Sequence, residues 1–256
     1  MTLIEPKKSL GQHFLTDHNI ARKITNSINF NKSDHYVEIG PGTGILTAYL
    51  HEKAVHHLWL VEYDKACADY LKEHYPALSG NIIQEDILKL DFRKYFQGSF
   101  SLIGNLPYNI SSQIFFRVYD HRDAIKESVF MIQKEVAERI KSGPGNKNYG
   151  ILSVLLQTFF NIEYLFTVNE QVFYPRPRVK SAVIRLQRNE THELDCDEAL
   201  FVRIIKKAFN QRRKTLRNSL KEIITRHHVQ TGDDIFNKRP EQLSTEDFRR
   251  LTRLLS

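Results

Sequence analysis

Asn105-Leu106-Pro107-Tyr108 is the stretch of this chain best equipped for chemistry on a nucleobase. An exocyclic amine is a poor nucleophile because its lone pair is delocalised into the ring. A side-chain amide oxygen and an adjacent backbone carbonyl can accept both of its N–H groups and draw the nitrogen towards a tetrahedral shape. Asn105 and the Leu106 carbonyl have the types and the spacing for that task. Pro107 fixes the turn, and Tyr108 offers a ring on which a base can stack. Phe173 offers a second ring, from the loop Phe173-Tyr174-Pro175-Arg176-Pro177-Arg178. Its two prolines make the loop stiff and extended, and Arg176 and Arg178 can meet phosphates. Each stretch also has a plainer reading: a proline-terminated strand with a packed Tyr, and an ordinary surface loop.

Gly40-Pro41-Gly42-Thr43-Gly44 is the second stretch with ligand chemistry. Glycines let the backbone turn sharply and approach a ligand closely. The spacing is G-x-G-x-G, which differs from the G-x-G-x-x-G of dinucleotide enzymes. Glu62 ends the next apolar run, near where an acid binds ribose hydroxyls about 20 residues beyond a glycine turn. Asp86 ends the run after that, where a carboxylate can accept from an adenine amino group. A glycine turn without a ligand, a solvent-facing Glu and an Asp helix cap are the competing readings.

Strand ends must hold these residues. Tyr36–Ile39, Leu58–Val61, Ile82-Ile83, Phe100–Gly104 and Ser128–Ile132 read as short buried strands with helical stretches between them, the pattern of a parallel α/β sheet. Crossovers in such a sheet are right-handed, and ligands bind beyond the carboxyl ends of the strands. Ile20, Ile24 and Ile28 mark one apolar helix face before the sheet begins. Asn161–Val168 and Val179–Leu186 read as a closing antiparallel pair, which makes the sheet seven-stranded and mostly parallel.

Three regions follow. Residues 1–10 read as a flexible basic N-terminus, 11–188 as the catalytic domain, and 189–256 as a small all-helical domain with helix starts at Asp197 and Ser244. In the last region, Arg203 to Arg226 crowds basic residues, among them Arg212, Arg213, Lys214 and Arg217, against one acid, Glu222. So lopsided a helical stretch points to a phosphate-backbone footprint rather than an ordinary solvated face.

Composition agrees with that direction. Of the 256 residues, 37 are Lys or Arg and 30 are Asp or Glu, for a net charge of +7. A polyanionic partner fits this balance. The two cysteines, Cys67 and Cys196, lie far apart with no CxxC pair, so reduced thiols and no metal site are expected. The N-terminus lacks a signal-peptide core. Ile151–Phe160 is too short to cross a bilayer, so a cytoplasmic protein without membrane contact is expected.

Together these residues resemble the rRNA adenine N6-dimethyltransferase family, a branch of the class I S-adenosylmethionine-dependent methyltransferases. Gly11–Leu15, Glu38–Gly44, Glu62, Asp86, Asn105–Ser111, Phe173–Val183 and Phe209–Asn218 all fall in the family's order. The resemblance implies a Rossmann-like α/β fold and S-adenosylmethionine as methyl donor. It implies donor contacts at His13, Leu15, Gly40, Glu62, Asp86 and Asn105, with Gly42 and Gly44 in the same turn. The family commonly has Asn where this chain has His13. Asn105–Ser111 and Phe209–Asn218 look like the branch that dimethylates two adjacent adenines near the 3′ end of small-subunit (16S) rRNA. That branch implies the 30S subunit as partner, a role in ribosome biogenesis and a monomeric enzyme. The rivals are a large-subunit rRNA or DNA adenine methyltransferase, and an assembly factor that binds immature subunits and whose catalysis is secondary or absent.

Overall fold

The protein is described by a computed structural model covering residues 4–54 and 56–256. Its strands are β1 (Phe14–Leu15), β2 (His35–Ile39), β3 (Leu58–Val61), β4 (Ile82–Ile83), β5 (Phe100–Asn105), β6 (Ile125–Gln133), β7 (Phe160–Val168), β8 (Phe173–Tyr174) and β9 (Ser181–Arg188). Its helices are α1 (His18–Thr25), α2 (Ile45–Ala54), α3 (Lys65–His74), α4 (Phe92–Tyr95), α5 (Ser111–Asp120), α6 (Lys134–Lys141), α7 (Ile151–Phe159), α8 (Glu198–Asn210), α9 (Leu216–Ser219), α10 (Lys221–Arg226) and α11 (Thr245–Leu254).

Seven strands form one sheet in the order β4-β3-β2-β5-β6-β9-β7, and β1 pairs with β8 in a separate antiparallel ribbon. The pairings from β4 through β6 are parallel. Such strands are covered on both faces, so they read as unbroken apolar runs. Val37, Leu60, Leu102, Val129 and Ile132 are fully buried for that reason. β9 runs antiparallel to β6, with Phe130 opposite Ile184, and β7 takes the edge beside it. The expected seven-stranded, mostly parallel sheet is therefore present.

Local chemistry starts several of the helices. Asp17 accepts the Asn19 and Ile20 N–H groups at the head of α1, Asp64 accepts that of Ala66 at the head of α3, and Asp197 that of Leu200 at the head of α8. Ser244 and Asp247 form a reciprocal capping box before α11. Among the described residues, no helix is long and apolar enough to cross a membrane.

The chain divides into two compact units. The first runs through Ala137 and adds Ile162–Arg188; the second comprises Glu138–Asn161 and Asn189–Ser256. The sequence reading puts residues 138–161 in the 11–188 region, whereas by compactness they group with 189–256. The apolar helix α7 explains the difference, since Leu152, Val154, Leu155 and Leu156 are buried and the helix packs on α8 and α11.

Two further expectations change. Residues 7–10, expected within a flexible N-terminus, are held in place. The Lys7 ammonium donates to Asp64 Oδ1 at 2.6 Å, its N–H donates to Gln12 Oε1 at 2.7 Å, and Lys8–Leu10 forms a 3₁₀ turn. Residues 1–3 lie outside the described residues. Nor is the second unit helical throughout. α8 stops at Asn210, Gln211 leaves helical geometry at φ −120°, ψ 43°, and Thr215 is extended before α9. Continuing α8 past Ala208 would turn polar side chains to its buried face. The chain instead changes direction and buries Leu216, whose N–H donates to Lys238 O at 2.8 Å.

Candidate active site

A cavity of about 250 Å³ opens at the carboxyl ends of β2, β3, β4 and β5. Its first wall is the turn after β2. Gly42 adopts φ +57°, and a Cβ there would stand 2.9 Å from Phe14 Cε1, so both its conformation and its neighbour require glycine. Glu62, at the end of β3, is buried and spans the turn. Its Oε2 accepts the Gly42 N–H at 3.0 Å and its Oε1 accepts the Asp64 N–H at 2.8 Å. A carboxylate has lone pairs to spare beyond those two bonds, so Glu62 can still accept ribose hydroxyls. Burial pushes its pKa up, and the bonds from the Asp64 and Gly42 N–H groups oppose the rise. Asp86 follows β4. Its Oδ1 accepts the Leu88 N–H at 2.9 Å, which leaves Oδ2 as an acceptor on the wall beside Ile87 and Leu88.

Below the turn lies Glu38, buried and bonded by the Thr47 hydroxyl at 2.7 Å. Burial raises its pKa to about 8, the Thr47 bond opposing and the Glu62 charge adding. Glu38 is therefore largely protonated at neutral pH and ties β2 to the first turn of α2.

Asn105 closes β5 on the opposite wall. Gly104 precedes it, and a Cβ there would meet Ile39 O at 2.5 Å. Glycine lets β5 run hard against β2 and brings Asn105 to the glycine turn. The Asn105 Nδ2 donates to His13 O at 2.9 Å, which assigns the amide orientation and leaves Oδ1 as acceptor. The Leu106 N–H donates to Met131 O at 3.0 Å, while the Leu106 carbonyl accepts no hydrogen bond among the described residues. Asn105 and Leu106, adjacent in the chain, both line the cavity. Tyr108 is half-buried, its hydroxyl 2.5 Å from Ser181 Oγ, and burial raises the phenol's pKa against that bond. The His13 ring stacks on Tyr108 with centroids 5.3 Å apart. His13 Nδ1 lies 2.6 Å from Pro175 O, a carbonyl that can only accept, so Nδ1 is the donor of that bond.

Of the expected site residues, His13, Gly40, Gly42, Glu62, Asp86, Asn105, Leu106, Pro107 and Tyr108 line this one cavity. Three do not. Leu15 is 3% exposed and pairs with Phe173 across the β1–β8 ribbon, so its side chain belongs to the core. Gly44 begins α2 and faces Tyr75, whose hydroxyl donates to its carbonyl at 3.1 Å. Phe173 is 5% exposed and packed in the same core cluster as Leu15, so its ring is not an open stacking wall in this conformation.

Sequence reasoning missed Ile87 and Leu88, the apolar wall beside Asp86, and Ser181, which is fully buried at the start of β9 and holds the Tyr108 hydroxyl. It also missed the strap formed by residues 7–13, where Gln12 and Lys7 both reach Asp64 and residues 10–13 line the cavity. An Asp-Ile-Leu run after a strand was a readable sign of the first; nothing local marked the others. Among the described residues, no cluster of His, Cys, Asp and Glu is placed to hold a metal ion.

The expected phosphate contacts divide. Arg178, Arg213 and Lys214 are exposed. Arg176 pairs with Glu170 at 2.6 Å. Arg217 spends its guanidinium inside its own unit, on the Thr231 carbonyl at 2.8 Å, the Thr231 hydroxyl and Asn237. Arg212 likewise donates to Asn146 O at 3.1 Å.

A mostly parallel seven-stranded sheet with an acid-lined cavity over the ends of its strands defines a class I methyltransferase. The chain matches the family model for ribosomal RNA adenine dimethylase over residues 4–255, and it belongs to that family. Relatives named ribosomal RNA small subunit methyltransferase A include one from Parabacteroides distasonis, 56% identical over 98% of this chain and 94% of its own length. Others are from Bacteroides fragilis, 54% identical over 98% and 93%, and Cytophaga hutchinsonii, 49% identical over 100% and 99%. Among solved structures, a dimethyladenosine transferase from Plasmodium falciparum superposes with a TM-score of 0.76 at 26% identity, covering 93% of this chain and 96% of that one. The 23S rRNA methyltransferase ErmE shares the fold, with a TM-score of 0.66 at 23% identity, over 94% and 99%.

The methyl donor is S-adenosylmethionine, and the cavity fits it. Glu62 suits the ribose, Asp86 Oδ2 with Ile87 and Leu88 suits the adenine, and a Cβ at Gly42 would disturb the wall between them.

Proposed function

We propose that this chain dimethylates N6 of two adjacent adenines near the 3′ end of small-subunit (16S) rRNA, acting on the 30S subunit in ribosome biogenesis. The names of its relatives support the subunit, and the Asn105 turn supports the chemistry. The donor supplies an electrophilic methyl group with its own leaving group. The protein's task is position. Asn105 Oδ1 and the Leu106 carbonyl hold the two N–H groups of the target amine and free its lone pair. Pro107 sets the angle between those acceptors. Tyr108, held by Ser181, stacks on the flipped base. The amine needs no strong base before attack, because the nitrogen sheds its proton after gaining the methyl. A monomethylated amine keeps one N–H for Asn105 or Leu106, so the same pocket serves the second transfer.

Arg178, Arg213 and Lys214 supply charge for the RNA backbone. The enzyme works as a monomer in the cytoplasm, where its substrate is assembled.

One observation carries the reading: the Asn105 amide donates to His13 O, which leaves Oδ1 as an acceptor on a cavity-lining residue next to Leu106, whose carbonyl accepts no hydrogen bond among the described residues. Titration of S-adenosylmethionine against Asn105→Ala, alongside methyl transfer to unmodified 30S subunits, tests it. Donor binding within a few-fold of wild type with transfer lost is expected; retained transfer overturns the role of Asn105.

A further inference from the structure

The turn that carries Arg212, Arg213 and Lys214 is fastened to a second exposed loop, Ser142–Asn148, which the proposed reaction does not use. Arg212 Nη2 donates to Asn146 O at 3.1 Å, and its Nε lies 3.8 Å from Glu241 Oε2. The Gly145 N–H donates to the Glu241 carbonyl at 2.6 Å. One guanidinium and one glutamate thus join three segments of the second unit.

The loop is built to face outward. Residues 143–147 are all exposed, and the fully buried Tyr149 anchors the far end. Gly145 sits at φ +81°, and Gly143 and Gly145 have open space where a Cβ would stand, so tight packing does not explain either glycine. The N–H groups of Gly143, Asn146 and Lys147 have no acceptor among the described residues. Free backbone N–H groups on a thin loop are phosphate donors. Lys147 adds an ammonium next to the clipped Asn146. Arg213 and Lys214 are exposed on the joined turn. The unattached charges on both segments are positive, which favours a polyanion over a protein face.

We infer that the Ser142–Asn148 loop and the Gln211–Lys214 turn form one surface for the RNA backbone. Lys147, Arg213 and Lys214 supply its charge, and Arg212 is a positioning residue that sets the loop. This rests on the reading of the chain as an rRNA-binding enzyme, and it changes the role of Arg212 from phosphate contact to clip.

The test is binding of the full chain to 30S subunits lacking the modification, measured across a salt series. Melting temperatures verify that each variant folds. Lys147→Gln and Arg213→Gln should each lower the slope of log affinity against log salt by about 0.7–0.9. Arg212→Lys keeps the charge but loses the fork. It should weaken binding about 5-fold in the wild-type background and hardly at all when Lys147→Gln is already present, the non-additivity of residues that act together. Amide exchange over residues 143–147 should slow on binding. A wild-type slope for Lys147→Gln with a lowered slope for Arg213→Gln would remove the loop from the surface and leave the RNA reading intact. Wild-type slopes for both would remove the turn as well. An equal cost of Arg212→Lys in both backgrounds would overturn its positioning role.

Discussion

Single residues carry this site through orientation more than through acidity. Asn105 acts through the direction in which its amide points. In the fold its Nδ2 is committed to His13 O, which leaves an acceptor and nothing that takes a proton. Asn105→Ala is expected to lower kcat by about 10²-fold or more, the scale of losing one preorganised polar contact in a transition state, while the donor Kd moves only a few-fold. Single-turnover transfer and donor titration separate the two effects. Glu38 makes a different prediction. Its pKa rises from 4.5 to about 8 on folding, so the folded state holds a proton that the unfolded chain has released at intermediate pH. Its contribution is therefore full below pH 4.5 and is lost as pH rises towards 8, a cost on the order of 3–5 kcal/mol across that window. Glu38→Gln keeps an acceptor for Thr47 and should flatten the decline, which urea midpoints between pH 5 and 8.5 would reveal. At this scale the sequence was readable where a residue ended a strand: Gly40, Glu62, Asp86 and Asn105. It was not readable for Phe173 or Leu15, whose burial depends on a pairing between β1 and β8 that no local pattern announces.

Elements bring those residues together. The turn after β2 and the end of β5 meet because Gly42 and Gly104 allow backbones and Phe14 to approach more closely than any Cβ permits. Gly42→Ala must adopt a left-handed conformation at a cost of about 1–2 kcal/mol and must also push Phe14 aside. A donor Kd at least about 10-fold weaker, with the chain still folded, is expected in a thermal-shift and titration pair. The strap is the second device. Lys7 and Gln12 both hold Asp64, which fastens the segment whose residues 10–13 line the cavity. Lys7→Met should raise the donor's dissociation rate several-fold with little change in the rate of the chemical step, measurable by stopped-flow. Parallel strands were legible because they are short apolar runs between helical stretches. The strap was not, because a polar segment such as Lys7–Gln12 reads as solvent-facing until the acid it binds, at the head of α3, is placed beside it. In sequence the basic stretch reads as one helix because its charge pattern continues through Arg212–Lys214; the need to bury Leu216 breaks it there.

At the scale of the molecule, the first unit holds the donor cavity and the second offers exposed charge at Arg213, Lys214 and Lys147. Raising salt from 50 to 200 mM should weaken subunit binding by an order of magnitude or more while leaving the donor's affinity nearly unchanged, because only the RNA contacts release condensed counterions. The proposed activity is methyl transfer to adenine N6 of small-subunit RNA at the Asn105 turn. The most direct measurement supplies labelled S-adenosylmethionine with 30S subunits lacking the modification, with 50S subunits and DNA as competitors, and maps the label by nucleoside analysis. The expected product is N6,N6-dimethyladenosine at two adjacent positions near the 3′ end of 16S rRNA, and none when Asn105 is Ala. Label entering large-subunit RNA or DNA instead, or full dimethylation by Asn105→Ala, would contradict it.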